Sequence, residues 1–243
     1  MNDINKLREL MAPTGVLRTT INVGNPILAG LDADQQPYGV SVDLAKMIAH
    51  RLDVELELQV YASAGEAVAV VSDEKADMGF FALDPKRAES IQFTAPYVLI
   101  EGCYLVREDS PITDQQEADR HGQKIVVGKG SAYDLYLSRA IQHAELVRAP
   151  TSPKVVAFFI EHKLDIAAGV KQQLEAGIEE FGGLRLLPGH FMTIQQAMGV
   201  PKNRPREAAA FLSAFIEEAK AEGDVARLLA KHNIQGASVA PSA

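Results

Sequence analysis

Only one cysteine, Cys103, occurs in the 243 residues, which excludes an internal disulfide and any multi-cysteine metal site. It lies in the apolar run YVLIEGCYLV and reads as a buried, inert thiol. The six histidines, His50, His121, His143, His162, His190 and His232, show no H-x-x-x-H or related ligand spacing. They read as surface or helix-end residues, so neither a metal nor a cofactor is expected. No stretch is long and apolar enough to span a bilayer, and no Pro/Ser-rich linker or low-complexity tract interrupts the chain. Clustered positive charge is missing too: the formal net charge is −8 and the 24 Lys and Arg residues are scattered. That balance argues against nucleic acid or an anionic membrane surface as a partner. The start, MNDINKLRELMAPTG, has neither the apolar core of a secretion leader nor a small-residue cleavage site. Ile4, Leu7, Leu10 and Met11 instead form the stripe of a short helix ended by Pro13 and Gly15, which suits a native start at Met1. As the chain stands the expected location is cytoplasmic; a periplasmic one requires a leader already removed.

What is present is an ordinary globular composition, 47% hydrophobic and 23% charged, long enough for one large domain or two small ones. The most informative stretch runs from Asp77 to Tyr97. An apolar strand, Met78–Leu83, leads into Asp84-Pro85-Lys86-Arg87, which reads as a helix start with Asp84 as N-cap and Pro85 at the first helical position. Arg87 then falls in the first turn, beside backbone N–H groups that have no intrahelical partner. A guanidinium next to such donors is a receptor for a carboxylate.

Strand and helix patterns alternate along the chain. Strands are expected at Val16–Val23, Glu55–Val60 and Met78–Leu83, with helices between them: one from about Val42 to Leu52 capped by Ser41, and one over Gly65–Ser72. A second unit of the same kind has strands at Lys124–Val127, Leu146–Arg148, Asp165–Gly169 and Leu184–Leu187. Its tight turn Gly128-Lys129-Gly130-Ser131 leads into a helix over Ala132–Ala140, opened by a capping pair of Ser131 and Asp134. Helices follow Ser152-Pro153 and run up to Phe181. The chain closes with a strand at Thr193–Val200, helices at Arg206–Ala221 and Val225–Lys231, and a tail, GASVAPSA, that reads as disordered. The order argues for layered α/β units with largely parallel sheets. Extended strands at Glu101–Arg107 and Thr193–Val200 are the candidate connections between them.

Three segments resemble the bacterial extracellular solute-binding proteins of family 3, the polar amino-acid binders of ABC importers. They are Gly39-Val40-Ser41-Val42-Asp43-Leu44; Lys75-Ala76-Asp77 with Asp84-Pro85-Lys86-Arg87 and Phe93-Thr94-Ala95-Pro96-Tyr97; and Gly128-Lys129-Gly130-Ser131 with Leu164-Asp165-Ile166-Ala167-Ala168. The resemblance implies a type II periplasmic-binding-protein fold of class α/β. Each of its two lobes is a mixed, mostly parallel sheet flanked by helices; two hinge strands join them, and the ligand is trapped by hinge closure. Lobe 1 would be residues 1–106 and 195–243, and lobe 2 residues 107–194. The family's carboxylate-binding Arg maps onto Arg87, with Ala82 five residues earlier where the family places Ser or Thr. The second-lobe turn maps onto Gly130 and Ser131. Asn22 and Asn25 stand where the family contacts ligand side chains, although Asn in such a loop is also a common turn former. Phe80 is assigned to the cleft wall, with a core role as the competing reading. The acid that would receive a ligand's α-ammonium should fall near Val170, and none is there; Lys171 is adjacent and reads as a solvated helix residue. Glu101 or Asp134 could take that role, or the ligand lacks an α-amino group.

Three readings follow from that scaffold. The first is a non-catalytic, monomeric receptor for a small carboxylate-bearing, amino-acid-like solute, with an ABC permease as partner. The second is a cyclohexadienyl-dehydratase-like enzyme, which needs a tuned acid/base pair such as Glu101 with Lys171. The third is a cytoplasmic ligand sensor or buffer. The receptor ranks first.

Overall fold

The apolar stripes and alternating runs fold into two units, the first running to Leu99 and resuming at Gln195–Ala243, the second spanning Ile100–Ile194. The computed structural model describes residues 2–243; Met1, read above as a native start, lies outside them. The expected division at 106/107 and this one at 99/100 both fall inside the same strand, Val98–Arg107.

The first unit opens with α1 (Asn2–Met11), followed by β1 (Val16–Asn22) and a hairpin of β2 (Gly30–Leu31) and β3 (Pro37–Tyr38). Then come α2 (Val40–Leu52), β4 (Glu55–Tyr61), α3 (Ala64–Ser72), β5 (Met78–Ala82) and β6 (Ile91–Phe93). β1 lies between β4 and β5 and is parallel to both. α2 packs on β1 and buries Leu44, Ala45, Ile48, Ala49 and Leu52, which recur at helical spacing along one face. Each large aliphatic side chain so buried contributes about 1.5–3 kcal/mol.

α2 starts two residues earlier than its sequence suggests. Its N-cap is Gly39, at φ 122°, and Asp43 N–H donates to the Gly39 carbonyl at 3.0 Å. A Cβ at Gly39 would stand 2.5 Å from the Leu28 carbonyl oxygen, so the position admits only glycine. Ser41 is therefore not the cap; it is buried inside the first turn, and its N–H donates to Leu28 O at 3.0 Å.

β7 (Val98–Arg107) carries the chain into the second unit. There follow β8 (Lys124–Gly128), α4 (Ala132–Ala140), β9 (Glu145–Ala149), α5 (Val155–Glu161), β10 (Ile166–Val170), α6 (Lys171–Phe181) and β11 (Leu184–Leu186). β12 (Met192–Pro201) leads back out. In this unit β8 is parallel to β9 and β10, while β7 runs antiparallel to β10 and β11. The core gathers Cys103, Leu105, Val126, Val155, Phe159 and Leu174 from both layers. Burial pushes the Cys103 thiol up to about 11, helped by Glu101, which suits an inert thiol.

On its return the chain adds β12 antiparallel to β5 and β6, then α7 (Arg206–Ala221), α8 (Asp224–Lys231) and a short β13 (Ser238–Val239). β13 corrects the reading of the tail as disordered. Ser238 and Val239 pair with Leu99 and Val98, and Ala240 is buried with its N–H on the Tyr97 carbonyl at 3.0 Å. The first strand of the connection leaves an edge there, and the tail covers it.

Candidate functional site

In open α/β sheets, ligands bind outside the carboxyl ends of parallel strands. In the first unit those ends are Asn22 of β1, Tyr61 of β4 and Ala82 of β5. Beyond Asn22 the chain turns sharply: Asn22 Oδ1 accepts from Gly24 N–H at 2.9 Å, which is turn chemistry. A Cβ at Gly24 would meet the Ala62 carbonyl oxygen at 2.5 Å. The Asn25 carbonyl takes the N–H groups of Leu28 and Ala29, while its side-chain oxygen is buried without a hydrogen-bond partner among the described residues. A buried acceptor left over at a strand end calls for a donor from elsewhere.

The segment after Ala82 departs from its expected form. Asp84 Oδ1 accepts from Lys86 N–H at 2.8 Å and Arg87 N–H at 3.4 Å, but the residue at the N-cap position is Lys86, not Asp84. No α-helix follows. Arg87–Glu89 form a single 3₁₀ turn, closed by Ser90 N–H on the Arg87 carbonyl at 3.1 Å. Only eight residues separate β5 from β6, too few for a helix and two connections. Without an α-helix terminus there, the anion-receptive group that remains is the guanidinium itself. Arg87 is 4% exposed and its Nη1 donates to the Ala82 carbonyl at 3.1 Å. Desolvation lowers its pKa to about 10, and Asp84 opposes that shift. Ala82, without a side-chain hydroxyl, contributes through this carbonyl. Phe80 and Phe81 face opposite sides of β5: Phe81 enters a core with Ala67, Val71 and Ile91, while Phe80 meets Tyr97 edge-on at 6.3 Å.

The parallel strands of the second unit end at Gly128, Ala149 and Val170. The turn after β8 has Gly130 at φ 72°, and Ser131 Oγ caps α4 by accepting from Asp134 N–H at 3.0 Å. Asp134 returns a bond to Gly130 N–H at 2.9 Å rather than to Ser131 N–H, and its carboxylate also holds Arg148 at 3.0 Å. Asp134 is thus absorbed by the scaffold. Glu101 is not: its Oε2 accepts from Lys171 Nζ at 3.0 Å, and its Oε1 lies 3.4 Å from His190 Nδ1. Lys171, expected in solvent or, on a catalytic reading, as a partner of Glu101, does meet that acid, and His190, expected at the surface, lies beside it. The register that pairs Gly102 with Val170 brings Glu101 beside the start of α6, and long-range pairing of this kind leaves no local signal.

Among the described residues no group of three or more His, Cys, Asp or Glu side chains is placed to hold a metal ion. No described helix is long and apolar enough to cross a membrane.

The sequence profile of the family described as bacterial extracellular solute-binding proteins, family 3, matches residues 17–235. The amino-acid-binding protein AabA of Dichelobacter nodosus is 24% identical over 144 residues, 57% of this chain; the match spans 56% of that relative's own length. Among solved structures, a mutant of ArgBP from T. maritima superposes with a TM-score of 0.79 at 20% identity, over 96% of this chain and 99% of that one. A solute receptor for L-cysteine from Neisseria gonorrhoeae gives 0.80 at 21% identity, over 94% and 92%. At such identities the structural likeness speaks for the fold, which is that of the type II periplasmic binding proteins.

Proposed function

The chain belongs to the bacterial extracellular solute-binding proteins of family 3, and from that premise we propose that it is a non-catalytic receptor for a small, carboxylate-bearing, amino-acid-like solute. The observation that carries this reading is the desolvated guanidinium of Arg87 at the carboxyl end of β5. Out of water, a cation attracts an anion far more strongly than at the surface, and a guanidinium matches a carboxylate in two parallel hydrogen bonds. Asn25, after the neighbouring β1, supplies a buried acceptor for a donor on the same solute. The Gly130–Ser131 turn, Glu101, Phe80 and Asn22 are assigned to ligand contact on the same reading, each at or beside the carboxyl edge of its own unit.

Glu101 and Lys171 do not favour catalysis. Their hydrogen bond raises the Lys171 pKa, away from the neutral range that a general base needs. The partner that fits such a receptor is a membrane-embedded ABC permease, met from its extracytoplasmic side by the protein as a monomer. AabA is described as amino-acid-binding, which supports an amino-acid-like solute here.

A thermal-shift screen with amino acids, their deaminated acids and their decarboxylated amines tests the proposal. A carboxylate at about 100 times its Kd adds about 2.7 kcal/mol of apparent stability. Stabilisation by carboxylates and not by the amines is expected. Stabilisation by the amines alone, or turnover of prephenate or arogenate, would contradict it.

A further inference from the structure

At the amino ends of β8 and β9, the edge of the second unit opposite Gly128 and Ala149, two histidines stand side by side. The register that pairs Lys124 with Glu145 sets His121, just ahead of β8, next to His143, just ahead of β9. Their ring centroids are 4.6 Å apart, the ring planes are inclined at 50°, and both residues are exposed. Strand pairing brings them together from distant points in the chain, so no ligand spacing marks them in the sequence.

The backbone beneath both rings is fixed. Asp119 Oδ1 accepts from the N–H groups of His143 at 2.7 Å and Ala144 at 2.8 Å, and its Oδ2 accepts from Gln142 N–H at 2.9 Å. Glu145 N–H donates to the Gln123 carbonyl at 2.9 Å, and Gln123 N–H closes a turn on the Arg120 carbonyl at 3.2 Å. One carboxylate therefore ties the two loops, and its charge favours a cation beside them. The cations nearest in sequence are already paired, Arg120 with Glu117 at 2.9 Å and Lys124 with Glu145 at 3.8 Å.

At 50° the rings adopt neither the stacked nor the edge-to-face arrangement that aromatic pairs prefer. Their separation does suit a shared metal ion. Imidazole nitrogen binds first-row divalent metals at about 2.0–2.1 Å, and a ring nitrogen lies about 1.1 Å from its centroid, which puts the metal about 3.2 Å from each centroid. Two imidazoles at about 90° around one metal then have centroids about 4.5 Å apart, and at the tetrahedral angle about 5.2 Å. The observed 4.6 Å falls within that interval.

We propose that His121 and His143 form a two-histidine site for a divalent first-row transition metal, with water completing the coordination. Cu²⁺ binds it more tightly than Ni²⁺ or Zn²⁺, following the general affinity order of these ions. With two protein ligands rather than the four of a structural zinc centre, the metal exchanges freely. Bound, it bridges the loops that lead into β8 and β9. The site is independent of carboxylate capture by Arg87.

Calorimetric titration of the tag-free protein with CuCl₂, NiCl₂ and ZnCl₂ in a non-coordinating buffer tests the proposal. One Cu²⁺ per chain should bind at this pair, and the electron paramagnetic resonance spectrum of the complex should show two imidazole nitrogens. Loss of either ring turns a chelate into a single ligand, so His121→Gln and His143→Gln should each weaken Cu²⁺ binding at least about tenfold. His50→Gln, at an exposed position on α2 of the first unit, should leave it unchanged. Unchanged melting temperatures of the metal-free variants would show that they fold, and the wild-type spectrum decides independently of them. Absence of stoichiometric Cu²⁺ binding, a spectrum with a single nitrogen ligand, or an affinity that survives both substitutions overturns the proposal.

Discussion

Asp77 Oδ1 accepts from Arg204 Nη2 at 2.6 Å, joining positions 127 residues apart. The Asp77 side chain is fully buried, and it also accepts from the Arg18 backbone N–H at 2.9 Å and from Arg18 Nε and Nη2 at 3.0 and 2.8 Å. Arg204 reaches on to the Leu10 carbonyl at 2.6 Å. One carboxylate thus ties the end of α1, β1 and the segment that leads into α7. The acid of the Lys75-Ala76-Asp77 motif is structural.

Removing one partner of a buried, hydrogen-bonded ion cluster leaves charges without compensation. Asp77→Ala should cost about 3–5 kcal/mol in urea unfolding. A loss under about 1 kcal/mol, typical of an exposed pair, would show that the cluster contributes no more than a surface contact.

Asp43 on α2 accepts from Lys231 Nζ at 2.7 Å and from His232 Nε2 at 2.8 Å, at the end of α8. Burial alone would raise its pKa, but these two partners outweigh burial and hold it below the ordinary 3.8. A depressed carboxylate contributes stability that is fully present above its unfolded value and is lost as pH falls through the folded one. Melting temperature should therefore fall below about pH 4 more steeply in the wild type than in Asp43→Asn. Parallel acid limbs in the two proteins would count against this clasp.

The docked tail makes a separate prediction. Lys220, almost fully buried, donates to the carbonyls of Pro96 at 3.1 Å and Pro241 at 2.8 Å, stitching the tail beside the β13 pairing. Deletion of residues 236–243 should lower stability by about 2 kcal/mol, since each such bond nets about 1 kcal/mol. Amide exchange at Val98 and Leu99 should rise with it. Unchanged protection there would mean that the pairing is not maintained in solution.

Much of the fold was legible because local chemistry decided it. The stripe of α7 gives Arg206–Ala221 directly, and Ser131 caps α4 as its spacing with Asp134 suggests. The misses lie where distant contacts overrule local preference. Ser41 has cap chemistry, yet Gly39 starts α2 because only glycine fits against Leu28. Asp84-Pro85 carries a helix-start signal, yet the short passage to β6 allows only a 3₁₀ turn. The polar tail lacked a pattern of its own and takes its order from β7. At the candidate site, Arg87 was singled out through its motif. The sequence pairs Glu101 with Lys171 only as an acid/base couple that a catalytic reading would need; no spacing puts them in contact, since strand register decides which side chains meet.

Capture of a carboxylate is assigned above all to Arg87. Titration calorimetry of the wild type and of Arg87→Ala, with the carboxylate that stabilises the protein most, tests it most directly. Loss of the guanidinium should weaken binding at least about 100-fold, and Arg87→Lys should restore only part of it, because an ammonium cannot make the two-pronged contact. Unchanged affinity in a folded Arg87→Ala protein would contradict the carboxylate role assigned to this residue.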